Sequence, residues 1–234
     1  MTNRTNKVFI DSNMLMFAAE FQKADVFEWM DQLYGEIYIH QEVLNELILP
    51  SIKSKIETFL STGRWKLFEP RIILSELEFD IYQERLSDVK DAFSQMRLTA
   101  IEAGERVKSI TDLGEIATLA ACMMIGAQII CSNDFDIRKI VEQEDYCIST
   151  DEADLPIIQD SAEDFCFYCY KNEIASRKDV RKFFGHIFRE TPAARKQKMD
   201  QLDKRLQYFF QSLKKNRTVQ SQEQNVLGFF LCNE

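Results

Sequence analysis

Histidine, glycine and proline are scarce in this sequence. Its 234 residues include only 2 His, 7 Gly and 4 Pro. With only His40 and His186, a His-based catalytic triad or a multi-histidine metal centre is close to excluded, so any catalysis falls to carboxylates. Few Gly and Pro residues predict a helix-rich globular protein with short loops, and they exclude the collagenous and low-complexity classes.

Long uncharged apolar segments are also missing. No stretch approaches the 18 or so residues that a membrane-spanning helix needs, and no long apolar run follows the charges of the first seven residues. We therefore expect a soluble, cytoplasmic protein with no membrane contact. At 45% hydrophobic residues, the chain can bury a substantial single core.

The cysteines do not have the spacing of a disulfide framework or a zinc site. They lie among apolar neighbours, which favours reduced thiols in the core. Cys166 and Cys169 have the spacing of a redox pair or half a zinc site, but no second pair follows, so this is the minor alternative. The six are Cys122, Cys131, Cys147, Cys166, Cys169 and Cys232.

Charge is distributed unevenly along the chain. The segment from Arg177 to Arg217 holds 13 Lys or Arg residues and 4 acidic residues, which gives it a local charge of +9. Because the net charge of the whole chain is -9, the remaining residues together carry a charge of -18. A basic flank on an acidic, cation-binding body is typical of a protein that holds a phosphate backbone, and a solvated helical face is the equal alternative. The residues expected to bind nucleic acid are Arg177, Lys178, Arg181 and Lys182.

Short apolar strands alternate with helices over the first 150 residues, which predicts a parallel, doubly wound sheet. The strand ending at residue 131 carries no charge, as is usual for a central strand. The predicted strands are 7–10, 36–39, 65–68, 127–131 and 146–148. The predicted helices are 13–21, 41–49 (ended by Pro50), 52–60, 75–86, 88–103, 111–125 and 137–142.

Strand-like segments end near Asp151. The segments 156–174, 177–188 and 192–215 all have helical patterns. We therefore predict an α/β domain over residues 1–150 and a basic helical accessory region over residues 151–234.

Acidic residues lie near the carboxyl ends of the predicted strands. Asp11 ends the first strand, and Asp134 and Asp136 follow the uncharged one. Glu46 lies in the helix after the second strand, and Glu115 opens the helix before the uncharged strand. Because the carboxyl ends of parallel strands share one crevice, four separate segments can bring acids to one point.

Clustered carboxylates repel one another unless a cation lies between them. Mg²⁺ and Mn²⁺ take oxygen ligands and bind substrate phosphates, so acids without histidine suit them. Such a metal activates water and stabilises charge on phosphate oxygens. The set therefore predicts metal-dependent phosphodiester hydrolysis.

Each acid also has a purely structural explanation. Asp112 can be a helix N-cap with Glu115 closing a capping box. Glu46 can lie on a solvated helix face, and Asp134 and Asp136 can be turn formers. The functional interpretation therefore depends on all of these acidic residues occurring together.

Four segments resemble, in order, the motifs of PIN-domain nucleases. Residues 8–13 (VFIDSN) resemble the opening strand motif, in which an Asp is followed two positions later by Asn. Residues 42–46 resemble the second acidic helix, 112–120 are similar to the third motif, and 131–136 are similar to the fourth. The resemblance covers roughly residues 7–148.

This resemblance implies a three-layer α/β/α fold with a central parallel five-stranded sheet, to which the C-terminal helices are added. It implies a Mg²⁺- or Mn²⁺-dependent ribonuclease whose acidic residues serve as catalytic and metal-binding groups. Supporting residues would orient those carboxylates by hydrogen bonds. The acids are Asp11, Glu46, Glu115 and Asp134, with Asp136 an additional or substitute member, and the supporting residues are Asn13, Ser132 and Asp112.

The resemblance also suggests partners. RNA is the expected substrate, with single-stranded DNA as the alternative, and a toxin of this family would have an antitoxin protein and pair as a homodimer. This chain departs from the compact toxin pattern by an insert between residues 52 and 109 and by the region after 151. Two other classes stay open: a non-catalytic PIN-like module that binds RNA or a protein, and a phosphotransfer protein with Asp11 as acceptor, which would want a strand-end Lys that is absent.

Overall fold

The computed structural model describes residues 4–105, 113–188 and 192–231. The strands are β1 (Arg4–Ile10), β2 (Tyr34–His40), β3 (Trp65–Phe68), β4 (Ile129–Cys131), β5 (Cys147–Ser149), β6 (Asp154–Pro156) and β7 (Ile158–Asp160). The helices are α1 (Ser12–Glu20), α2 (Val26–Leu33), α3 (Gln41–Glu46), α4 (Pro50–Ser61), α5 (Pro70–Ile73), α6 (Glu76–Glu102), α7 (Leu113–Ile125), α8 (Phe135–Glu144), α9 (Ala162–Lys171), α10 (Arg177–Ile187) and α11 (Pro192–Leu231).

A five-stranded parallel sheet with the order β3-β2-β1-β4-β7 forms the centre of the first part of the chain. Helices cover both of its faces. This confirms the predicted three-layer α/β/α fold with a central parallel five-stranded sheet. Because β1 lies between β2 and β4 in a parallel sheet, its carboxyl end adjoins theirs.

The core lies on both faces of the sheet. Val8, Phe9 and Ile10 of β1 are fully buried, as expected for a central strand that helices cover on both sides. On one face Phe9 meets Phe68 edge to face, with ring centroids 5.7 Å apart, and α6, α7 and α8 complete this cluster.

Two strands, β6 and β7, lie where the sequence predicts none. The predicted helix over 156–174 begins only at Ala162, because β7 precedes it and provides the fifth strand of the sheet. The strand predicted at 146–148 is β5, which instead pairs antiparallel with β6 outside the main sheet. The pattern of β7 gives little strand signal, since two of its three residues are polar.

Two helix boundaries also differ from prediction. Pro50 does not end a helix but begins α4, a position that suits proline because the first helical N–H has no partner within the helix. The two helices predicted over 75–86 and 88–103 are one helix, α6, which starts at the predicted Ser75 capping box. Since no Gly or Pro stands between 86 and 88, nothing interrupts it.

The chain divides into two compact units, Met1–Phe165 and Cys166–Glu234. The first unit extends past residue 150 to include β6 and β7. In the second unit, Ser176 is the N-cap of α10, and its side chain accepts a hydrogen bond from the Asp179 N–H. Its buried side chains include Val180, Phe183 and Phe184. Among the described residues, no helix combines the length and apolarity needed to cross a membrane.

Candidate active site

Asp11 lies at the carboxyl end of the central strand β1. Its backbone N–H donates to the Cys131 carbonyl at 3.0 Å, which continues the pairing of β1 with β4. It is the N-cap residue of α1, but its side chain makes no capping hydrogen bond. The residue is 2% exposed, so its carboxylate is buried.

Two neutral donors hold one oxygen of Asp11. The Asn13 Nδ2 atom and the Ser132 hydroxyl both donate to Asp11 Oδ2, at 2.5 Å and 2.9 Å. Asn13 Nδ2 also lies 3.1 Å from Ser132 Oγ. The other oxygen, Oδ1, is buried and accepts no hydrogen bond from the part of the chain that the structure describes. Buried polar atoms are nearly always satisfied, so this oxygen needs an explanation.

Other acids act on Asp11 electrostatically. The pKa of Asp11 is raised to about 6, chiefly by burial and to a smaller extent by the negative charges of Glu46 and Asp134, against the lowering effect of hydrogen bonds from Ser132 and Ser12. Like charges raise a carboxyl pKa only when they lie near it. Glu46 and Asp134 are therefore each close enough to repel Asp11.

Glu46 is held by the start of α7. It ends α3, and its Oε1 accepts a hydrogen bond of 2.8 Å from the Gly114 N–H. A Cβ atom at position 114 would lie 2.7 Å from that oxygen, so the close approach requires glycine. The N-terminus of a helix also favours a carboxylate. Glu115 follows in the first turn of α7 and is half-buried.

The loop after β4 is fixed by hydrogen bonds from two sides. Ser132 Oγ accepts from the Asp134 N–H at 3.1 Å while donating to Asp11. Asn13 Oδ1 accepts from the Asn133 N–H at 3.1 Å. From β7, Gln159 Nε2 donates to the carbonyls of Ser132 and Asp134, at 2.8 Å and 2.5 Å. This network places Asp134 beside Asp11.

Asp134 and Asp136 have different surroundings. Asp134 is the N-cap of α8, and its Oδ1 accepts from the Asp136 N–H at 3.0 Å. Its turn-forming role and its proximity to Asp11 therefore coexist. The Asp136 carboxylate instead forms an ion pair of 3.2 Å with Lys139, within the first turn of α8.

The structure thus brings some of the predicted site residues into contact with one another but not others. Asp11, Asn13, Ser132 and Asp134 form one network, Glu46 reaches Asp11 through its charge, and Asp136 is engaged by Lys139. Asp112 lies outside the described residues. Within the described residues, no three His, Cys, Asp or Glu side chains are grouped closely enough to hold a metal ion directly.

Three residues that support the site are absent from the predicted set. They are Gly114, which admits Glu46, and Asn133 and Gln159, which fix the loop after β4. An isolated Gly within a helical pattern is a known sign of close packing, so Gly114 had a signal. Gln159 had none, because its role depends on a strand that the sequence does not reveal.

The predicted nucleic-acid-binding residues line a groove in the second unit. Arg177, Lys178, Arg181 and Lys182 share a space of about 710 Å³ with Arg195. Acids partly neutralise it: Asp203 pairs with Arg177 at 3.0 Å and with Arg181 at 3.1 Å, and Asp179 lies 3.6 Å from Lys182. Five Lys or Arg side chains and two Asp side chains give the groove a positive net charge.

The described cysteines are Cys122, Cys131, Cys147, Cys166 and Cys169, and all five are free thiols. Burial raises the pKa of Cys122 and of Cys131 well above the usual thiol range. Thiols of this kind are inert core groups, in contrast to reactive ones.

No protein-family model and no curated protein matches this chain. Among solved structures, it is similar to a chain in the crystal structure of VapBC2 from Rickettsia felis bound to a DNA fragment from their promoter. The match has 15% sequence identity and a TM-score of 0.34, and it covers 57% of this chain and 92% of that one. A similarity with this TM-score establishes neither the fold nor the function of this chain.

Proposed function

We propose that this protein is a metal-dependent ribonuclease that hydrolyses phosphodiester bonds of RNA with Mg²⁺ or Mn²⁺. Asp11, Glu46, Glu115 and Asp134 are the acidic residues of its active site, with Asp136 an outer member. The resemblance of four ordered motifs to those of PIN-domain nucleases supports the same assignment. An antitoxin partner and a homodimer, both expected from that resemblance, remain predictions.

One observation carries the proposal: Asp11 is buried, is repelled by Glu46 and Asp134, and has one buried oxygen without a partner among the described residues. Burying a charge without an opposite charge is costly. A divalent cation at the unpartnered oxygen would reverse that cost, because it turns repulsion among carboxylates into shared attraction. These residues therefore fit a hard cation with oxygen ligands.

Asp11 Oδ1 would bind the metal, and the Glu46 and Asp134 carboxylates would complete its surroundings directly or through water. When bound, such a cation supplies an activated water and stabilises charge on the phosphate. The protein's own part is orientation. Asn13 and Ser132 fix Asp11 through its other oxygen, and Gly114 fixes Glu46 through its backbone N–H.

The basic groove of the second unit would hold the RNA backbone. Lys and Arg side chains that contact phosphates release counterions, so such binding weakens as salt rises. Lys178 and Lys182 lie on α10 in this groove. We expect them to contribute affinity without selecting sequence.

A second candidate function is a non-catalytic module of PIN-like fold that binds RNA or a protein. The observation in its favour is that no three metal-ligating side chains are grouped within the described residues. Mg²⁺ usually keeps several waters and binds through one or two carboxylates, however, so a looser set suffices. The buried Asp11 favours the nuclease.

The test is calorimetric titration of Mn²⁺ into the wild type and into Asp11→Asn, with RNA cleavage measured on the same samples at neutral pH. Asp11→Asn removes one charge at nearly constant shape, and we expect it to abolish both metal binding and cleavage. The matched control is Asp80→Asn, which removes an exposed carboxylate on α6 and leaves both intact.

A double variant, Lys178→Glu with Lys182→Glu, examines the groove in the same assays. It should keep Mn²⁺ affinity, weaken RNA binding and flatten its salt dependence. A wild type that binds no metal and cuts no RNA would reject the nuclease and favour the binding module. Unchanged RNA binding in the double variant would remove the groove from the proposal.

A further inference from the structure

A cavity of about 400 Å³ lies beside α3, within the first unit. Its lining comes from the end of β2, the start of α3, the N-terminal parts of α5 and α6, and one side of α7. Ligand pockets commonly have this volume, and they combine apolar walls with a few placed polar groups. The carboxylate chemistry described above makes no use of this space.

The walls combine flat surfaces with balanced charge. The Arg71 guanidinium lies over the Phe79 ring, 4.7 Å from its centroid. Leu113, Ile116 and Ala117 of α7 provide the apolar side. Four charged residues line the space, two acids and two bases, so their charges cancel: Glu42, Glu69, Arg71 and Lys90. Such a lining suits a flat, neutral molecule better than a phosphate group.

Two hydrogen bonds in series connect Glu42, His40 and Tyr82, which all line the cavity. His40 Nδ1 accepts the Glu42 N–H at 3.0 Å, and burial lowers the pKa of His40 to about 4, so the ring is neutral. A neutral ring that accepts at Nδ1 carries its proton on Nε2. Nε2–H therefore donates to the Tyr82 oxygen, 3.1 Å away. This bond leaves the Tyr82 hydroxyl hydrogen unused, and Tyr82, which is 3% exposed, is among the residues that line the cavity.

The polar rim can read the edge of a ring. Gln83 provides an amide that both donates and accepts, and Glu42 provides an acceptor. The rim thus presents donors and acceptors around a space with flat apolar walls. Nucleobases have this combination: they stack on aromatic rings and guanidinium planes, and they are recognised by hydrogen bonds at their edges.

The cavity and the carboxylates share two helices. Gln41 and Glu42 at the start of α3 line the cavity, whereas Glu46 at its end belongs to the candidate active site. A helical rise of about 1.5 Å per residue puts roughly 6 Å between residues 42 and 46. In α7, Gly114 holds Glu46 while Leu113 lines the cavity. The cavity therefore adjoins the Glu46 side of the candidate active site.

We infer that this cavity binds a nucleobase of the RNA, adjacent to the phosphate that the carboxylates cleave. The inference rests on the proposed ribonuclease function for its choice of ligand. It gives the enzyme base selectivity at the cut position, with Phe79 and Arg71 as the stacking wall and Gln83 as an edge-reading group.

The test is an NMR titration of the full chain with each of the four ribonucleosides, in the presence of a chelator. Nucleosides lack phosphate, so neither the metal site nor the basic groove contributes. We expect at least one to bind saturably, and Phe79→Ala to weaken it roughly tenfold, as loss of base stacking does. Gln83→Ala should also weaken it. Gln95→Ala, an exposed Gln of the same helix, is the matched control and should not.

A wild type that binds no nucleoside would overturn the inference. So would Phe79→Ala and Gln83→Ala variants that bind nucleosides as tightly as the wild type does. If Phe79→Ala does not fold, the exposed Gln83→Ala still decides the outcome. Asp11→Asn separates the two proposals, since it should keep nucleoside binding while losing cleavage. Nucleoside binding by a wild type that cuts no RNA would support the cavity and reject the nuclease, and cleavage with no nucleoside binding would do the reverse.

Discussion

Two aspartates are buried at the carboxyl ends of strands in the same sheet, and their surroundings differ. Asp160, at the end of β7, is 1% exposed, pairs with Arg4 at 2.5 Å and accepts from the Tyr34 hydroxyl at 3.1 Å. Asp11, at the end of β1, is 2% exposed and meets only neutral donors and other acids among the described residues.

This difference is the one that we expect between a structural acid and the active-site acid that we propose. Buried charges are normally paired, because desolvation would otherwise dominate. Within residues 4–105, 113–188 and 192–231, the fold provides Arg4 for Asp160, and it provides orientation but no cation for Asp11. The lack of a compensating charge among these residues is the physical basis for proposing a metal at Asp11.

The comparison predicts the largest loss of stability at Asp160. Asp160→Asn removes the charge that compensates Arg4, whose side chain is 16% exposed. Removing one partner of a buried ion pair leaves the other uncompensated, and we expect unfolding to become easier by about 3 kcal/mol. Urea denaturation followed by circular dichroism measures this. A change below about 0.5 kcal/mol would show that Asp160 and Arg4 are not a structural pair.

Substitution of Asp11 by Asn should instead increase the stability of the metal-free protein, and the size of this increase should depend on pH. Its pKa is raised from 3.8 to about 6, so between these values the folded state binds more protons than the unfolded state. Stability from this group is therefore present at low pH and lost as pH rises through about 6. Without metal, Asp11→Asn should gain roughly 2–3 kcal/mol relative to wild type between pH 4 and pH 7.

The measurement is denaturation of both proteins in a chelator across that range, and only the difference between them is interpreted, since other acids titrate in each. A difference that stays constant with pH would mean that Asp11 is not strained by its surroundings. Asp160→Asn is the matched comparison, because it should lack the gain at neutral pH.

The sequence could predict those features of the fold and the site that depend on residues close together in the chain. Asp11 ends an apolar strand and precedes Asn13 by two residues, so its position could be inferred from neighbours alone. Gln159 and Asp160 lie in a three-residue strand with little apolar pattern, so neither the fifth strand nor its support of the site was visible. The residues at the two ends of the Asp160 ion pair are 156 apart, and no pattern connects such positions.

The smallest expected effect is at Gly114, and it tests whether the acids act as one site. In Gly114→Ala the new Cβ would lie 2.7 Å from Glu46 Oε1, so the carboxylate must move. Displacing a group that orients a metal ligand typically costs 10- to 100-fold, and we expect a loss of that order in Mn²⁺ affinity and RNA cleavage, with little change in stability. Gly185→Ala is the control for Mn²⁺ affinity alone, since its Cβ meets the flexible end of Arg195, a residue of the basic groove, at 3.0 Å. If both variants retain full metal affinity, Glu46 does not share the site of Asp11, and the carboxylates that remain are those joined through Ser132.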